Sequence, residues 1–168
     1  MITIFKLIKN MLKHLNSNER VEFIAQAITL AMIFGWAPFN VIIHSAMVIT
    51  MILLKGNTLF FIVLVPFFLT ISPIIYGVNH MIGDFILTMA SLRPLFVWLA
   101  DVPLMVFLNW NNTVSLGGYL LMMIGCYPLY RLNRRLVTRY RAMWLPKIKA
   151  SKLAKVFKLP SWLGRFLP

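Results

Sequence analysis

Two pairs of polar side chains have helical spacing in the otherwise apolar middle of this sequence. Asn40 and His44 form the first pair, and His80 and Asp84 form the second. Residues four positions apart lie on one face of a helix, where an amide or a carboxylate can orient an imidazole. In an apolar helix such a pair indicates either a functional site or a hydrogen bond that joins two helices.

Further polar residues lie between the apolar stretches. Arg93 is far from the other basic residues, so we expect it to pair with Asp84 or Asp101 or to bind a phosphate headgroup. The candidates for a polar path that lipid headgroups could follow are Asn40, His44, Asn57, His80, Asp84, Arg93, Asn111 and Asn112. The alternative is that these residues only join helices.

No spacing in the sequence is typical of catalysis or of a metal centre. The sequence has no nucleophile-and-base arrangement, no paired-carboxylate signature and no glycine-rich phosphate loop. Cys126 is the single cysteine, which excludes an internal disulfide and a CxxC motif. Met47 and Met51 follow His44 on one helix face, but methionines at this spacing are more often packing residues than copper ligands. We therefore expect a non-enzymatic protein with no cofactor and no metal ion.

The helices that carry these residues are expected to lie in a membrane. Of the 168 residues, 60% are apolar and 12% are charged, and the mean hydropathy is +0.80, whereas about a quarter of the residues in a soluble domain are charged. Of the 17 Lys and Arg residues, 4 lie in residues 1–20 and 11 lie in residues 131–168. The positive-inside rule then predicts that both termini are cytoplasmic and that the number of crossings is even.

The hydrophobic pattern predicts an all-α integral membrane protein with three regions. Residues 1–18 form an interfacial amphipathic helix, residues 19–130 form the membrane domain, and residues 131–168 form a basic amphipathic cytoplasmic tail. Pro38, Pro94 and Pro103 are predicted to break helices. Residues 21–54 are too long for one straight crossing, so they form either a re-entrant hairpin or two short crossings. Residues 58–76 and 114–130 are predicted to span the membrane, and residues 79–110 to form a second broken hairpin.

The membrane domain contains a recurring pattern. An Asn-Thr pair, at residues 57–58 and again at 112–113, precedes an apolar stretch, and a proline follows each threonine by 15 residues. Pro38 lies 19 residues before the first asparagine, and Pro94 lies 18 residues before the second. Repeats over about residues 21–76 and 79–130 would be inverted relative to each other, as in many transporters. The alternative is a chance match of a few residues.

The basic tail is predicted to bind anionic lipid. The candidate side chains are Arg131, Arg134, Arg135, Arg139, Arg141, Lys149, Lys152 and Lys155. Each basic residue close to an anionic membrane surface contributes about 1 kcal/mol of attraction. Nucleic acid is the competing partner for any basic tail, but the Trp and Leu residues of the opposite face, next to a membrane segment, favour lipid. We therefore expect no nucleic-acid partner.

The order of several short motifs resembles a known protein family. The motifs are Phe34-Gly-Trp-Ala-Pro-Phe-Asn40 with His44, Leu54-Lys-Gly-Asn57, Ser91-Leu-Arg-Pro-Leu-Phe96, Val102-Pro103, Trp110-Asn-Asn-Thr113 and Tyr140-Arg141. The chain resembles small bacterial inner-membrane proteins of unknown function, related to a wider domain with a Gly-x-x-Pro and His signature. Trp36 departs from the family pattern, which has a smaller polar residue there. The resemblance implies a Gram-negative cytoplasmic membrane and a very large AsmA-like partner, of a class thought to bridge the envelope for lipid traffic.

These observations favour a non-enzymatic integral inner-membrane subunit that partners a larger membrane or periplasmic protein in lipid transport or transfer. One alternative is a small ion or solute carrier in which His44 and Asp84 titrate. Another is a passive membrane anchor or assembly factor whose ends dock a partner.

Overall fold

The computed structural model describes residues 10–11 and 19–144, and this part of the chain contains helices and no β-strand. The helices are α1 (Val21–Trp36), α2 (Val41–Leu53), α3 (Thr58–Leu87), α4 (Arg93–Ala100) and α5 (Thr113–Arg139), with 3-10 helices at Ala90–Leu92 and Pro103–Leu108 and a π-helical turn at Tyr140–Trp144. The predicted all-α class is confirmed. Most of the predicted interfacial helix and the tail beyond residue 144, with Lys149, Lys152 and Lys155, lie outside the described residues.

Asparagine side chains start three of the five helices. Asn40 caps α2, Asn57 caps α3 and Asn112 caps α5, and each side-chain oxygen accepts a hydrogen bond from a backbone N–H of the first turn. Asparagine is among the best residues for this role, because its side chain satisfies a backbone donor that has no partner within the helix. The recurring Asn-Thr pairs of the sequence therefore mark the starts of the two longest helices.

Helix α1 is the centre of the bundle and packs against both α3 and α5. Ile24, Ala27 and Ala31 are completely buried, and the surrounding core includes Phe60 of α3 and Val137 of α5. The alanines let the neighbouring helices approach α1 closely, as small residues do at helix contacts in membranes. Helix α2 leaves the turn after α1 and packs mainly against α1, so much of its surface stays exposed.

Helices α3 and α5 run antiparallel and are packed closely at glycines. A Cβ atom at Gly117 would overlap the carbonyl oxygen of Asn79, and one at Gly83 would overlap the carbonyl oxygen of Thr113. The two adjacent glycines, Gly117 and Gly118, thus bring α5 against α3 and against Pro38. Both long helices, Thr58–Leu87 and the continuous helix from Thr113 to Met143, are long and apolar enough to cross a membrane.

Helix α3 is longer than the sequence predicts, because its two internal prolines do not end it. Pro73 cannot donate to the carbonyl of Leu69, and the hydroxyl of Ser72 donates to that oxygen instead, at 2.8 Å. Serine hydroxyls commonly satisfy carbonyls that proline leaves free in membrane helices. The helix therefore continues past residue 76 to Leu87.

The second broken hairpin that was predicted for residues 79–110 is not formed. Residues 79–87 belong to α3, and the segment that follows holds only α4 and two short 3-10 helices. Pro94 lies in the first turn of α4 and Pro103 begins a 3-10 helix, positions where the missing N–H costs nothing. Only Pro38 separates two apolar helices of similar length, so the two proposed repeats differ in shape.

The two ends of the bundle differ in charge. The basic end consists of residues 19–23, 54–58 and 131–144, and it carries seven described cations, Arg20, Lys55, Arg131, Arg134, Arg135, Arg139 and Arg141, with two acids, Glu19 and Glu22. The opposite end consists of residues 84–113 and carries Asp84, Arg93 and Asp101. The charge asymmetry of the sequence thus becomes an asymmetry along the bundle axis.

Candidate functional site

The predicted Asn40–His44 pair holds the turn between α1 and α2. Pro38 has no N–H, so the Phe34 carbonyl four residues earlier lacks its helical partner. His44 supplies one, because its Nε2 lies 3.1 Å from that oxygen. Its Nδ1 lies 3.3 Å from the nitrogen and 2.9 Å from the oxygen of the Asn40 backbone, so it can accept from the first when neutral or donate to the second when protonated. His44 is therefore a joint between the two helices.

Two amide side chains fasten the same turn to the rest of the bundle. Asn40 donates from Nδ2 to the carbonyl of Phe107, at 2.7 Å, while its Oδ1 caps α2. Asn79, on α3, is 0% exposed and donates from Nδ2 to the carbonyl of Trp36, at 3.3 Å. Asn40 and His44 are both 6% exposed. These contacts favour the structural interpretation of the pair.

The other polar candidates lie in two other places. His80, Asp84, Arg93, Asn111 and Asn112 are exposed toward the opposite end, whereas Asn57 is buried at the basic end. His80 Nδ1 lies 2.7 Å from the hydroxyl of Thr113, and in the described residues no hydrogen bond joins it to Asp84. No ion pair within residues 19–144 joins Arg93 to Asp84 or Asp101, which leaves the alternative prediction, a phosphate headgroup, open. No group of three His, Cys, Asp or Glu side chains in the described ranges could hold a metal ion.

The arginines of the basic end combine two roles. Arg134 forms an ion pair with Glu22 at 2.9 Å, and Arg141 donates to the carbonyl of Glu19 at 2.6 Å, so α5 is tied to the start of α1. The arginine cluster, Arg131, Arg134, Arg135 and Arg139, lines a shallow cavity of about 370 Å³. Guanidinium groups bind phosphate oxygens in a bidentate manner. Four of the predicted lipid-binding residues therefore share one surface suited to an anionic group.

A lateral groove lies between α2 and α5, with α1 as its floor. Two adjoining cavities of about 290 and 320 Å³ form it, and Leu30, Thr50, Met123 and Cys126 line both. Its end nearer the arginine cluster is lined by Gln26, Thr29, Tyr127 and Tyr130. The guanidinium of Arg131 lies 5.7 Å from the centre of the Tyr127 ring, so the cluster adjoins this polar end of the groove.

Sequence reasoning missed the polar residues along this groove. The Oε1 atom of Gln26 is buried and has no hydrogen-bond partner among the described residues. Asn133, which is 5% exposed, donates to the hydroxyl of Thr29 at 3.0 Å and joins α5 to α1. The sequence did contain a pattern that indicates them. Gln26 and Thr29 are polar residues three apart in an apolar stretch, and Asn133 precedes the buried Val137 by one helical turn.

One similar protein extends over most of the chain. A protein of Treponema pallidum (strain Nichols), described as uncharacterized, is 22% identical over 139 residues, which cover 83% of this chain and 86% of the relative. No protein-family model matches the chain. No solved structure matches it significantly. The similarity to the Treponema protein thus spans most of both chains.

Proposed function

We propose that the chain is a non-enzymatic, multi-pass subunit of the bacterial inner membrane that takes part in lipid transport or transfer with a larger envelope protein. In this proposal α3 and α5 cross the bilayer, the basic end faces the cytoplasm, and the opposite end faces the periplasm. Residues 19 and 144 then both lie on the cytoplasmic side, as the positive-inside rule requires for basic flanks.

The outer surface of the bundle supports a lipid environment. Large apolar side chains are exposed on three helices: Ile49 and Ile52 on α2, Ile62, Ile74, Met81 and Phe85 on α3, and Met123 and Ile124 on α5. A water-soluble monomer rarely exposes such continuous apolar surface. In a bilayer the same side chains contact hydrocarbon at no cost.

The hairpin of α1 and α2 has the dimensions of a deep re-entrant element. Its helices have 16 and 13 residues, or ~24 and ~20 Å, against a hydrocarbon layer of ~30 Å. A Cβ atom at Gly118 would overlap Pro38 at the tip, and Gly118 lies one to two turns into α5. Pro38 therefore lies roughly 8 Å short of the start of α5, while Asn40 reaches the carbonyl of Phe107 at the opposite end. Helices of this length favour a hairpin that enters from the basic side over two full crossings.

The lateral groove is the observation that carries the proposal. Its walls are mostly apolar, it is open at the side of the bundle, and its polar end adjoins the arginine cluster. A phospholipid has the matching distribution, with an acyl chain for the groove and a phosphate for the guanidinium groups. The groove would hold a lipid of the cytoplasmic leaflet while its headgroup stays at the membrane surface.

The opposite end offers a surface for the larger partner. Leu95, Val97 and Trp98 of α4 and Val106 and Phe107 of the following 3-10 helix are all exposed. Aromatic and aliphatic residues on short helices at a bundle end are typical of interface anchors and of protein contacts. The family resemblance points to an AsmA-like protein as this partner.

Filling the groove tests the proposed function. Cys126 lines both cavities of the groove, whereas its neighbour Ile124 is 75% exposed and lines neither. Cys126→Trp should reduce the phospholipid that co-purifies with the protein, as measured by native mass spectrometry, and should fail to restore lipid transfer or envelope integrity in a deletion strain. Ile124→Trp, which adds an indole to the lipid-facing surface of the same helix, is the matched control and should behave like the wild type.

Two outcomes would contradict the proposal. If Cys126→Trp accumulates normally and restores the deletion strain fully, the groove has no part in lipid movement. If neither wild type nor control retains a phospholipid, the groove does not hold one, and the chain is better explained as a passive anchor.

A further inference from the structure

A second elongated cavity lies between α1 and α5, with Asn79 of α3 at one end, and it shares Ile33 and Met122 with one of the two cavities of the lateral groove, which α2 helps to form. It has a volume of about 300 Å³ and extends along α5 from Gly118 past Gly125 to Leu132. Those positions are 14 residues apart, or ~21 Å along the helix. The walls are apolar except at one corner, where Trp36 of α1 and Asn79 of α3 meet.

Two buried side-chain atoms of residues that line this cavity have no hydrogen-bond partner among the described residues. Asn79 uses its Nδ2 to bind the Trp36 carbonyl, which leaves the acceptor Oδ1 unsatisfied. The Nε1–H of Trp36 is a buried donor without an acceptor. Buried polar groups nearly always have partners, and a single group that both donates and accepts is the kind that would satisfy an acceptor and a donor together.

We propose that this cavity binds an apolar chain that ends in a hydroxyl group, as in a long-chain alcohol or a hydroxyl-bearing lipid. The hydroxyl would donate to Asn79 Oδ1 and accept from Trp36 Nε1, which satisfies both atoms. A cavity of 150 Å³ holds benzene and stays dry when its walls are apolar, so a cavity of twice that volume accommodates about a dozen heavy atoms of a chain. An ester carbonyl accepts hydrogen bonds but donates none, and so satisfies only Trp36.

The position of the polar corner fits a membrane amphiphile. Asn79 lies about one helical turn before Gly83, which contacts the start of α5 at the opposite end. The hydroxyl would therefore lie roughly 8 Å inside that end of the bundle, and the chain would run along α5 toward the basic end. This inference rests on the proposed membrane location but is independent of lipid transfer through the lateral groove.

Photolabelling of the full chain in nanodiscs tests the proposal. The probe is a twelve-carbon primary alcohol with a diazirine at its far end, and the labelled residues are mapped by mass spectrometry. Label is expected on α5 between Gly125 and Leu132. 1-Dodecanol should compete with the probe at least about tenfold better than n-dodecane, because two hydrogen bonds distinguish the two competitors.

Variants separate the chain-binding part of the cavity from its polar corner. A Cβ atom at Gly125 would contact only Leu129 of its own helix, at 3.6 Å, so Gly125→Leu should fill the cavity and abolish labelling. Gly77→Leu is the matched control, because a Cβ atom there meets nothing within 4 Å, and it should label normally. Trp36→Phe keeps a ring but removes the donor, so the preference for dodecanol should fall by about three- to tenfold.

Several results would overturn the inference. Equal competition by dodecanol and dodecane in the wild type would show that the polar corner does not recognise a hydroxyl. Label that persists in Gly125→Leu, or that never maps to α5, would show that the cavity does not hold the chain. Cys126→Trp should leave this labelling intact, so failure of the groove and failure of this cavity can be told apart.

Discussion

His44→Leu should loosen the turn between α1 and α2 without removing any group that handles lipid. The imidazole donates to the Phe34 carbonyl, which has no helical partner because residue 38 is proline. Leucine cannot donate, so that carbonyl loses its partner beside a side chain that is only 6% exposed. The variant tests whether the pair that first suggested a polar path is instead a structural joint.

The expected loss in the free energy of unfolding of His44→Leu can be worked out from the contacts that the variant lacks. A hydrogen bond between membrane helices contributes about 0.6 kcal/mol on average and at most about 1.7 kcal/mol. The edge-on contact of the His44 and Phe34 rings, with centroids 4.3 Å apart, belongs to a class that adds about 0.5–1.5 kcal/mol. Leucine recovers part of the apolar contact, so we expect the free energy of unfolding to fall by about 1–2 kcal/mol.

A double-mutant cycle with Pro38→Ala makes this prediction specific. Alanine restores an N–H at position 38, four residues after Phe34, which can then donate to the carbonyl that His44 serves. In that background His44→Leu should cost less, with a coupling energy of about 0.6–1.7 kcal/mol. The measurement is reversible unfolding in mixed micelles for the wild type, both single variants and the double variant.

Two results would refute this reasoning. If His44→Leu costs the same in both backgrounds, the Phe34 carbonyl is not what the imidazole serves. If the variant is as stable and abundant as the wild type but no longer supports lipid transfer, His44 acts on the polar path and not as a joint. If His44 is a structural joint, lipid transfer by the variant should fall only in proportion to the amount of protein in the membrane.

Three further predictions concern orientation, packing and charge. In a Cys126→Ser background, an impermeant thiol reagent should label Arg93→Cys in intact cells but label Lys55→Cys only after the cytoplasmic face is exposed; the reverse pattern would invert the proposed topology. Gly117→Leu should prevent α3 from packing against α5, because even a Cβ atom there overlaps the Asn79 carbonyl. Thermal unfolding measures this, and Gly77→Leu should unfold like the wild type, because a Cβ atom there meets nothing within 4 Å. Replacing the arginine cluster by glutamines should weaken retention of anionic phospholipid, measured by mass spectrometry, and a salt-independent effect would argue against an electrostatic cause.

The features that were predictable from sequence depend on local chemistry. Pro38 interrupts an apolar stretch and Asn57 and Asn112 precede two others, so the turn and the helix starts follow from the proline ring and from asparagine's capping ability. The close approach at Gly117 is favoured by the two adjacent glycines there, whereas the isolated Gly77 and Gly125 of the same two helices meet no other helix. Each of these signals is complete within a few residues.

The features that were not predictable depend on distant partners. Pro73 looks like Pro38 in the sequence, yet α3 continues through it because Ser72 satisfies the carbonyl that the proline leaves free. Arg93 and Asp101 are close in sequence, but in the described residues no ion pair joins them, and both are exposed where water or headgroups can solvate them. The lateral groove arises from how α2 and α5 flank α1, which periodicity does not specify.

Some polar side chains of the apolar helices supply hydrogen bonds to backbone carbonyls that have no helical partner. His44 and Asn79 serve the Phe34 and Trp36 carbonyls at the turn, and Ser72 serves a carbonyl inside α3. These atoms are accounted for by the fold, because an apolar environment leaves backbone groups no other partner.

Three buried side-chain atoms of the described residues remain without a partner: Gln26 Oε1, Trp36 Nε1 and Asn79 Oδ1. Gln26 lines the lateral groove, and the other two residues line the second cavity. Since the fold does not use these three atoms, and each residue borders a space large enough for a lipid chain, they are better candidates for ligand contact than the Asn40–His44 pair. In our proposal the residues that contact a ligand are therefore the polar groups that remain after the prolines and helix ends have been satisfied.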